Sequence, residues 1–474
     1  MNPLSFLRKW YPADSPKEDV FDPKVHLDYV PPSKKFTMKD LLLEPSATAS
    51  SIAGTVPFSL LSTEGVRAYR RALFQKEVTD NCASSPFPGT LVLRDAAKRS
   101  KFINDFWTHP KTMAIVSEAV GVPLEVIMPT EIGHTNIQVE GNTVTEMTSN
   151  LRVEPVVEKL ELSAEDRGYD PLKDKNSIIP WQYLTCKSYD SYPYVCVLML
   201  SETEGMIGGE TYIKKGDGDA QKVRFLFIFR IQSSQLIFYI QVEGPQLGHA
   251  VMLQGGEVCH LAARAKGVKE RISTITSYRS KNPGIYDSSY ITNVRPYADI
   301  DSLYPEWAEY RLRRLRDELT YFLGEKSKKD DPVRERKEIH NLIEQQIDYL
   351  QRTSRQMVSP EHTKRSVEKY GKLAYYDSPK IWKALQSLPD FEIIASAADS
   401  KRQWMPESPY WMDLQRSIET IKLGTPLQSA LGTAVLDKKR AYCMGDELLR
   451  QGLNELFLDW LDDSGLLELY HQLK

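Results

Sequence analysis

The sequence has little of what would tie it to a disulfide scaffold, a membrane or a polyanion. It holds five cysteines in 474 residues (Cys82, Cys186, Cys196, Cys259 and Cys443), and no two form a CxxC pair. An odd number at scattered spacings excludes a disulfide framework and a zinc ribbon, and fits a reducing compartment. No apolar run approaches the roughly 18 residues that a membrane-spanning helix needs. The opening MNPLSFLRKWYPADSP interrupts its short apolar patch with charge and proline, unlike a secretory leader. Neither sign of charge dominates, with 61 Lys plus Arg against 64 Asp plus Glu and a net charge of −3. That balance leaves no footprint for nucleic acid or an anionic membrane surface. The expectation is a protein of the cytoplasm or nucleus with neither nucleic acid nor a membrane as partner.

What is present is the composition of a folded globular chain: 41% hydrophobic, 10% aromatic and 26% charged residues. The length allows two or three domain-sized units, or one large core with helical additions. Residues 1 to about 50, rich in Pro, Ser and Asp, read as a loose surface wrap or a mobile segment. EGVRAYRRALF and KFINDFWTHPKTMAIVSEAVG carry apolar residues at helical spacing, the second ending on a stop-type glycine. The period then shortens. EVIMPTEIGHTNIQVEG, TSNLRVEPVVEKLEL, YPYVCVLMLSE, HAVMLQGGEVCHLAARA and ERISTITSYRS alternate like strands, and TEGMIGGETYIKKGDGDA reads as a turn-rich hairpin. From Tyr304 the 3.6-residue period returns in YPEWAEYRLRRLRDELTYFLG and VRERKEIHNLIEQQIDYLQRTSRQMV, and again near the end in GDELLRQGLNELFLDWLDDSGLLELYHQL. Short strands with glycine turns point to a closed or double-sheet β architecture of jelly-roll kind within an α+β chain. The expected boundaries are an N-terminal extension with helices over 1–124, a β domain over 125–285, and a helical region over 286–474 that covers the β domain or mediates a homodimer.

The candidate chemistry lies in the β domain. Asp190 stands just before the strand-like YPYVCVLML, and His260 closes LQGGEVCH. Arg271 and Ser273 follow on one strand, where alternation puts both on one face. A guanidinium fork with a hydroxyl beside it suits a carboxylate ligand. The GGE of GMIGGETYI lacks the Lys-Ser/Thr and following helix of a phosphate loop, so it reads as a β turn.

An acid, a later imidazole and an Arg-x-Ser pair in this order resemble the Fe(II)/2-oxoglutarate-dependent dioxygenases, whose core is a double-stranded β-helix. The strings YDSYPYVCVLMLSETEGMIGGET and LQGGEVCHLAARAKGVKERISTITSYRS are similar to those of an uncharacterised fungal group of that family. The resemblance implies Fe(II) held by Asp190 and His260, and 2-oxoglutarate held as co-substrate by Arg271 and Ser273. It implies no catalytic residue beyond the metal centre. The sequence departs from the pattern at Ser188, where the resemblance would place the first imidazole ligand. His134 (in EIGHTN) and His249 (in QLGHAV) are histidines that could replace it, and each otherwise reads as a surface or hydrogen-bonded core residue. Trp181, Tyr192, Tyr194 and Tyr212 read either as pocket-lining or as core aromatics. VRFLFIFRIQSSQLIFYIQ is an insertion relative to the family pattern. It alternates like a hairpin, and its codons are equally compatible with a retained intron. The enzyme reading and a catalytically inactive binding or scaffolding domain both stand at this point.

Overall fold

The computed structural model describes residues 18–43, 49–87, 89–158, 160–169, 190–215, 239–241, 246–258, 260–326 apart from single or paired gaps between 284 and 297, and 332–357. Trp181, Ser188, the GDGD turn, most of the 223–241 insertion and the helical pattern near the C-terminus lie outside them. The chain divides into two compact units, the first holding 1–184, 188–287 and 297–306, the second 185–187, 288–296 and 307–474.

The strands are β1 (Lys35–Thr37), β2 (Ile52–Thr55), β3 (Phe58–Ser59), β4 (Ala83–Phe87), β5 (Thr90–Leu93), β6 (Leu124–Val126), β7 (His134–Val139), β8 (Tyr194–Met199), β9 (Ile207–Gly208), β10 (Thr211–Lys214), β11 (Tyr239–Gln241), β12 (His249–Leu253), β13 (His260–Ala262), β14 (Ala265–Lys266) and β15 (Glu270–Ser280). The helices are α1 (Pro23–His26), α2 (Thr63–Phe74), α3 (Lys76–Cys82), α4 (Ala96–Arg99), α5 (Lys101–Thr108), α6 (Pro110–Val120), α7 (Val144–Ser149), α8 (Ala164–Arg167), α9 (Ile300–Lys326) and α10 (Pro332–Arg355). A ten-stranded sheet runs in the order β1-β2-β12-β8-β15-β7-β5-β4, with β3 on β12 and β6 on β15. A smaller sheet has the order β11-β10-β13, and β14 pairs with β9. Every pairing among the described residues is antiparallel.

Strand alternation separates two environments across the large sheet. Tyr194, Cys196, Leu198, Ala250, Met252, Ile272 and Tyr278 enter one core with Tyr69 and Leu73 of α2, Phe102 and Phe106 of α5 and Val116 of α6. The intervening residues Val195, Val251 and Leu253 enter a second core with Phe36, Met38 and Ile213 of β10. The Tyr69 hydroxyl binds Thr274 Oγ1 and accepts from Trp107 Nε1, both at 2.9 Å, which fixes the helices to β15. Arg70 lies under the same face, paired with Glu270 at 2.8 Å.

Local details differ from the sequence expectations where a side chain or a missing N–H intervenes. The pattern from Lys101 to Gly121 forms α5 and α6 as separate helices because Pro110, which has no N–H, starts the second one. TSNLRVEPVVEKLEL forms no strand among its described residues. The carbonyls of Arg152 and Val153 are taken instead by the Arg70 guanidinium. The N-terminal wrap is tied down from Glu18 onward: its carboxylate accepts from the N–H groups of Lys101 and Phe102 at the start of α5, and Phe21 is buried. Of the insertion, Tyr239–Gln241 pairs with β10. No helix among the described residues is long and apolar enough to cross a membrane.

In the second unit, Trp307 Nε1 donates to the Thr353 carbonyl at 3.1 Å. The Arg311 guanidinium stacks 3.4 Å from the Tyr349 ring centroid.

Candidate functional site

Asp190 precedes β8, and its position is set by the end of the neighbouring strand β12. Its N–H donates to the Gly255 carbonyl at 2.8 Å, and the Gly256 N–H donates to the Pro193 carbonyl at 3.3 Å. The Gly255–Gly256 turn after β12 thus holds the loop that carries the carboxylate. Glycine is required here by space: a Cβ on Gly255 would stand 1.9 Å from Asp190 Oδ2.

His260 opens β13, opposite Ile213 of β10. Its Nδ1 lies 2.9 Å from the Val258 carbonyl, a contact that makes Nδ1–H the donor and leaves Nε2 with its lone pair. Nε2 lies 3.4 Å from Asp190 Oδ2. The Asp190 side chain is 32% exposed and that of His260 15%. Oδ2 itself is buried and accepts no hydrogen bond. Burial raises the Asp190 carboxyl above the usual range, with the neighbouring His260 offsetting part of the rise. Donors of one small divalent cation, each at about 2.1 Å, stand roughly 3 Å apart when adjacent, so the pair has the chemistry and spacing of two neighbouring ligands. Among the described residues no group of three or more His, Cys, Asp or Glu gathers, so neither His134 nor His249 joins this pair.

Arg271 and Ser273 share the inner face of β15, both buried. Arg271 Nε donates to the Gly209 carbonyl at 3.1 Å and Nη1 to Ser273 Oγ at 3.2 Å. Gly209, at φ +78°, turns its carbonyl toward the strand from just ahead of β10. Burial pulls the guanidinium down to about 10, and the Glu210 charge partly offsets this. It therefore remains cationic at neutral pH. Among the described residues no carboxylate forms an ion pair with it, an expensive arrangement for a buried charge unless an anion arrives.

Beside Arg271 and Ser273 the same face is partly accessible, although Val197 and Ile275 also pack on the second core. Val197 and Ile275 lie opposite one another in the middle of β8 and β15, yet both keep accessible surface while their neighbours along each strand are buried. His134 lies opposite Ile275 and Asn136 opposite Ser273 on β7, and both are half-buried. Side chains at the centre of a ten-stranded sheet reach solvent only through a hollow on that face. Val197, Ile275, His134 and Asn136 therefore floor a chamber bordered by Arg271 and Ser273. Sequence reading missed Asn136, Val197, Ile275 and Gly255. The alternation of β7 against β15 is the signal that could have found the floor, but only once the register is known. Of the aromatics singled out, Tyr192 and Tyr212 are buried, and Tyr194 belongs to the helix-side core rather than the chamber.

No family model matches the chain. No curated protein matches it either. Among solved structures it is similar to the non-heme alpha-ketoglutarate-dependent epimerase SnoN from nogalamycin biosynthesis, at 13% identity over 46% of this chain and 73% of that one, with a TM-score of 0.27. It is similar to HygX from Streptomyces hygroscopicus with nickel and 2-oxoglutarate bound, at 16% identity over 47% and 80% of the two chains, with a TM-score of 0.25. A 2OG-Fe(II) oxygenase family oxidoreductase from Burkholderia pseudomallei matches at 10% identity over 45% and 90%, with a TM-score of 0.24.

Proposed function

We propose that the first unit carries a non-haem iron, 2-oxoglutarate-dependent oxygenase site that oxidises a small molecule, in a double-stranded β-helix spanning about 125–285. The observation that carries this reading is the meeting of Asp190 Oδ2 and His260 Nε2 at 3.4 Å from segments far apart in the chain. The strand order supports the architecture: from β7 to β15 the chain moves repeatedly between the large sheet and the smaller sheets, as in a jelly roll.

In this site Asp190 and His260 hold Fe(II), the Val258 carbonyl fixing the imidazole tautomer and the Gly255 turn fixing the carboxylate. Arg271 and Ser273 bind the far carboxylate of 2-oxoglutarate, whose negative charge compensates the buried guanidinium. With O₂, the bound iron supplies oxidative decarboxylation of 2-oxoglutarate to succinate and CO₂, coupled to oxidation of a substrate C–H bond. The chain's own work is to orient the co-substrate, present the substrate over the chamber floor and limit water at the centre.

Succinate release tests this. Release that requires Fe(II), 2-oxoglutarate and O₂ together, and disappears in Asp190→Ala, supports the enzyme. A second reading, a catalytically inactive binding domain, rests on the sequence: serine stands at position 188, where the resemblance would place the first imidazole ligand. Ser188→His separates the two. If that variant gains ferrous affinity and turnover that the parent chain lacks, the parent is the inactive form. No turnover in either chain counts against the oxygenase reading.

A further inference from the structure

The polar groups facing the chamber differ in whether the protein already uses them. Gln138 is fully engaged, its amide donating to the Ala265 carbonyl at 2.7 Å and accepting from the Ala265 N–H at 3.0 Å. Arg94 donates to Glu131 at 3.1 Å, so their charges cancel. Arg271 is reserved for an anion. His134 and Asn136 are the exception. They sit on adjacent positions of the same strand face, half-buried, and their side chains pair with each other. Polar side chains inside a fold are ordinarily paired, and a pair that uses only one position of each side chain keeps further donor and acceptor positions for a ligand's polar groups.

We propose that His134 and Asn136 are the substrate-recognition pair of this chamber, and that they select an uncharged molecule carrying a hydroxyl beside a hydrocarbon face. The inference rests on the reading of the chamber as the oxygenase cavity. The imidazole nitrogen that is not paired with Asn136 accepts from the hydroxyl, and the Asn136 amide keeps its NH2 donors for a second polar group. Val197 and Ile275, between this pair and the β12 side of the sheet, provide the apolar contact. The charge pattern argues for a neutral ligand. Burial, reinforced by the Arg94 charge, holds the imidazole well below its usual range, so it is neutral at physiological pH. Arg94 is already matched by Glu131, whose other oxygen faces Ser277 Oγ. A carboxylate or ammonium entering beside His134 would thus lose its hydration for only part of a counter-charge, because Arg94 and Glu131 already offset each other.

The test uses the full chain and three probes with one hydrocarbon body: cis-1,2-cyclohexanediol, cyclohexanecarboxylate and cyclohexylamine, followed by saturation-transfer NMR, with 2-oxoglutarate binding measured separately by calorimetry. The diol is expected to bind about ten-fold tighter than either charged probe. His134→Leu should weaken it by about ten-fold, the loss of one buried hydrogen bond, and His134→Gln should restore most of that loss. Both variants should keep 2-oxoglutarate affinity within about two-fold, which also shows that they fold. Equal binding of the three probes, no diol binding to the parent chain, or no effect of His134→Leu overturns the proposal. So does a matching loss of 2-oxoglutarate affinity, which would assign the pair to the co-substrate. Failure of the oxygenase reading is distinguishable: 2-oxoglutarate would then not bind the parent chain, whatever the diol does.

Discussion

Two buried arginines at one end of β15 face opposite sides of the large sheet and teach opposite lessons. Arg70, fully buried, reaches Glu270 at 2.8 Å and gives further hydrogen bonds to the carbonyls of Arg152, Val153 and Leu200. Arg271, on the next residue of the same strand, is almost as buried, yet its bonds go to one carbonyl and one hydroxyl, with no acid paired to it among the described residues. The first guanidinium is matched inside the protein and acts as a structural tie. The second is matched only in part, and the mismatch falls on the face that also holds the open chamber. A buried charge that the fold leaves uncompensated marks where a ligand of opposite charge belongs.

The sharpest way to break the contrast is to remove each arginine in turn. Arg70→Met strands the buried Glu270 carboxylate and should cost about 3–5 kcal/mol of unfolding free energy, read by chemical denaturation. A loss below about 1 kcal/mol would show that the tie is not structural. Arg271→Met should leave the stability of the ligand-free protein unchanged or raised, because the charge it removes has no acid partner. The same variant should weaken 2-oxoglutarate by about 100-fold or more, the value of a paired charge-assisted contact. If it instead unfolds the protein and spares the co-substrate, the two arginines have been assigned the wrong way round.

A smaller effect is expected at the turn that sets Asp190. Gly255→Ala places a methyl where Oδ2 now lies, so the carboxylate must swing away. Divalent-metal affinity should fall by about 10- to 100-fold, as when support for a ligand is lost, with a stability loss of about 1–3 kcal/mol from crowding. Unchanged metal binding would mean that Asp190 is not a ligand. The smallest effect concerns pH. His134 is held below its usual range in the folded chain, so as pH falls below about 6.5 the unfolded chain takes up a proton that the folded one refuses. Stability should therefore fall with acidification in that window. His134→Gln should reduce the slope by at most about 1.4 kcal/mol per pH unit, and an unchanged slope in denaturation curves between pH 6.5 and 5 would contradict the assignment.

Part of this was legible in the sequence, for definite reasons. Alternation identified β8, β12 and β15, whose two faces enter different cores, and the 3.6-residue period identified α2, α9 and α10. The order of Asp190, His260, Arg271 and Ser273 nominated a site, since chain order survives folding. Pairing across the chain was not legible. Arg70 and Glu270 are 200 positions apart, and nothing local in either segment announces the partner. Because Arg70 takes the carbonyls of Arg152 and Val153, a segment with strand-like alternation never joins a sheet. The chamber was hidden for the same reason. His134, Ile275 and Val197 become neighbours only through the register of β7, β15 and β8, and a single histidine in EIGHTN gives no hint of which face it will occupy.

The most direct test of the central claim is anaerobic calorimetric titration of 2-oxoglutarate into the full chain, with and without Fe(II). The account predicts that ferrous ion tightens the co-substrate by about ten-fold or more through the shared centre, that Asp190→Ala removes this coupling, and that Arg271→Met removes the binding itself. Equal 2-oxoglutarate affinity with and without Fe(II), or affinity that survives Arg271→Met, would contradict it.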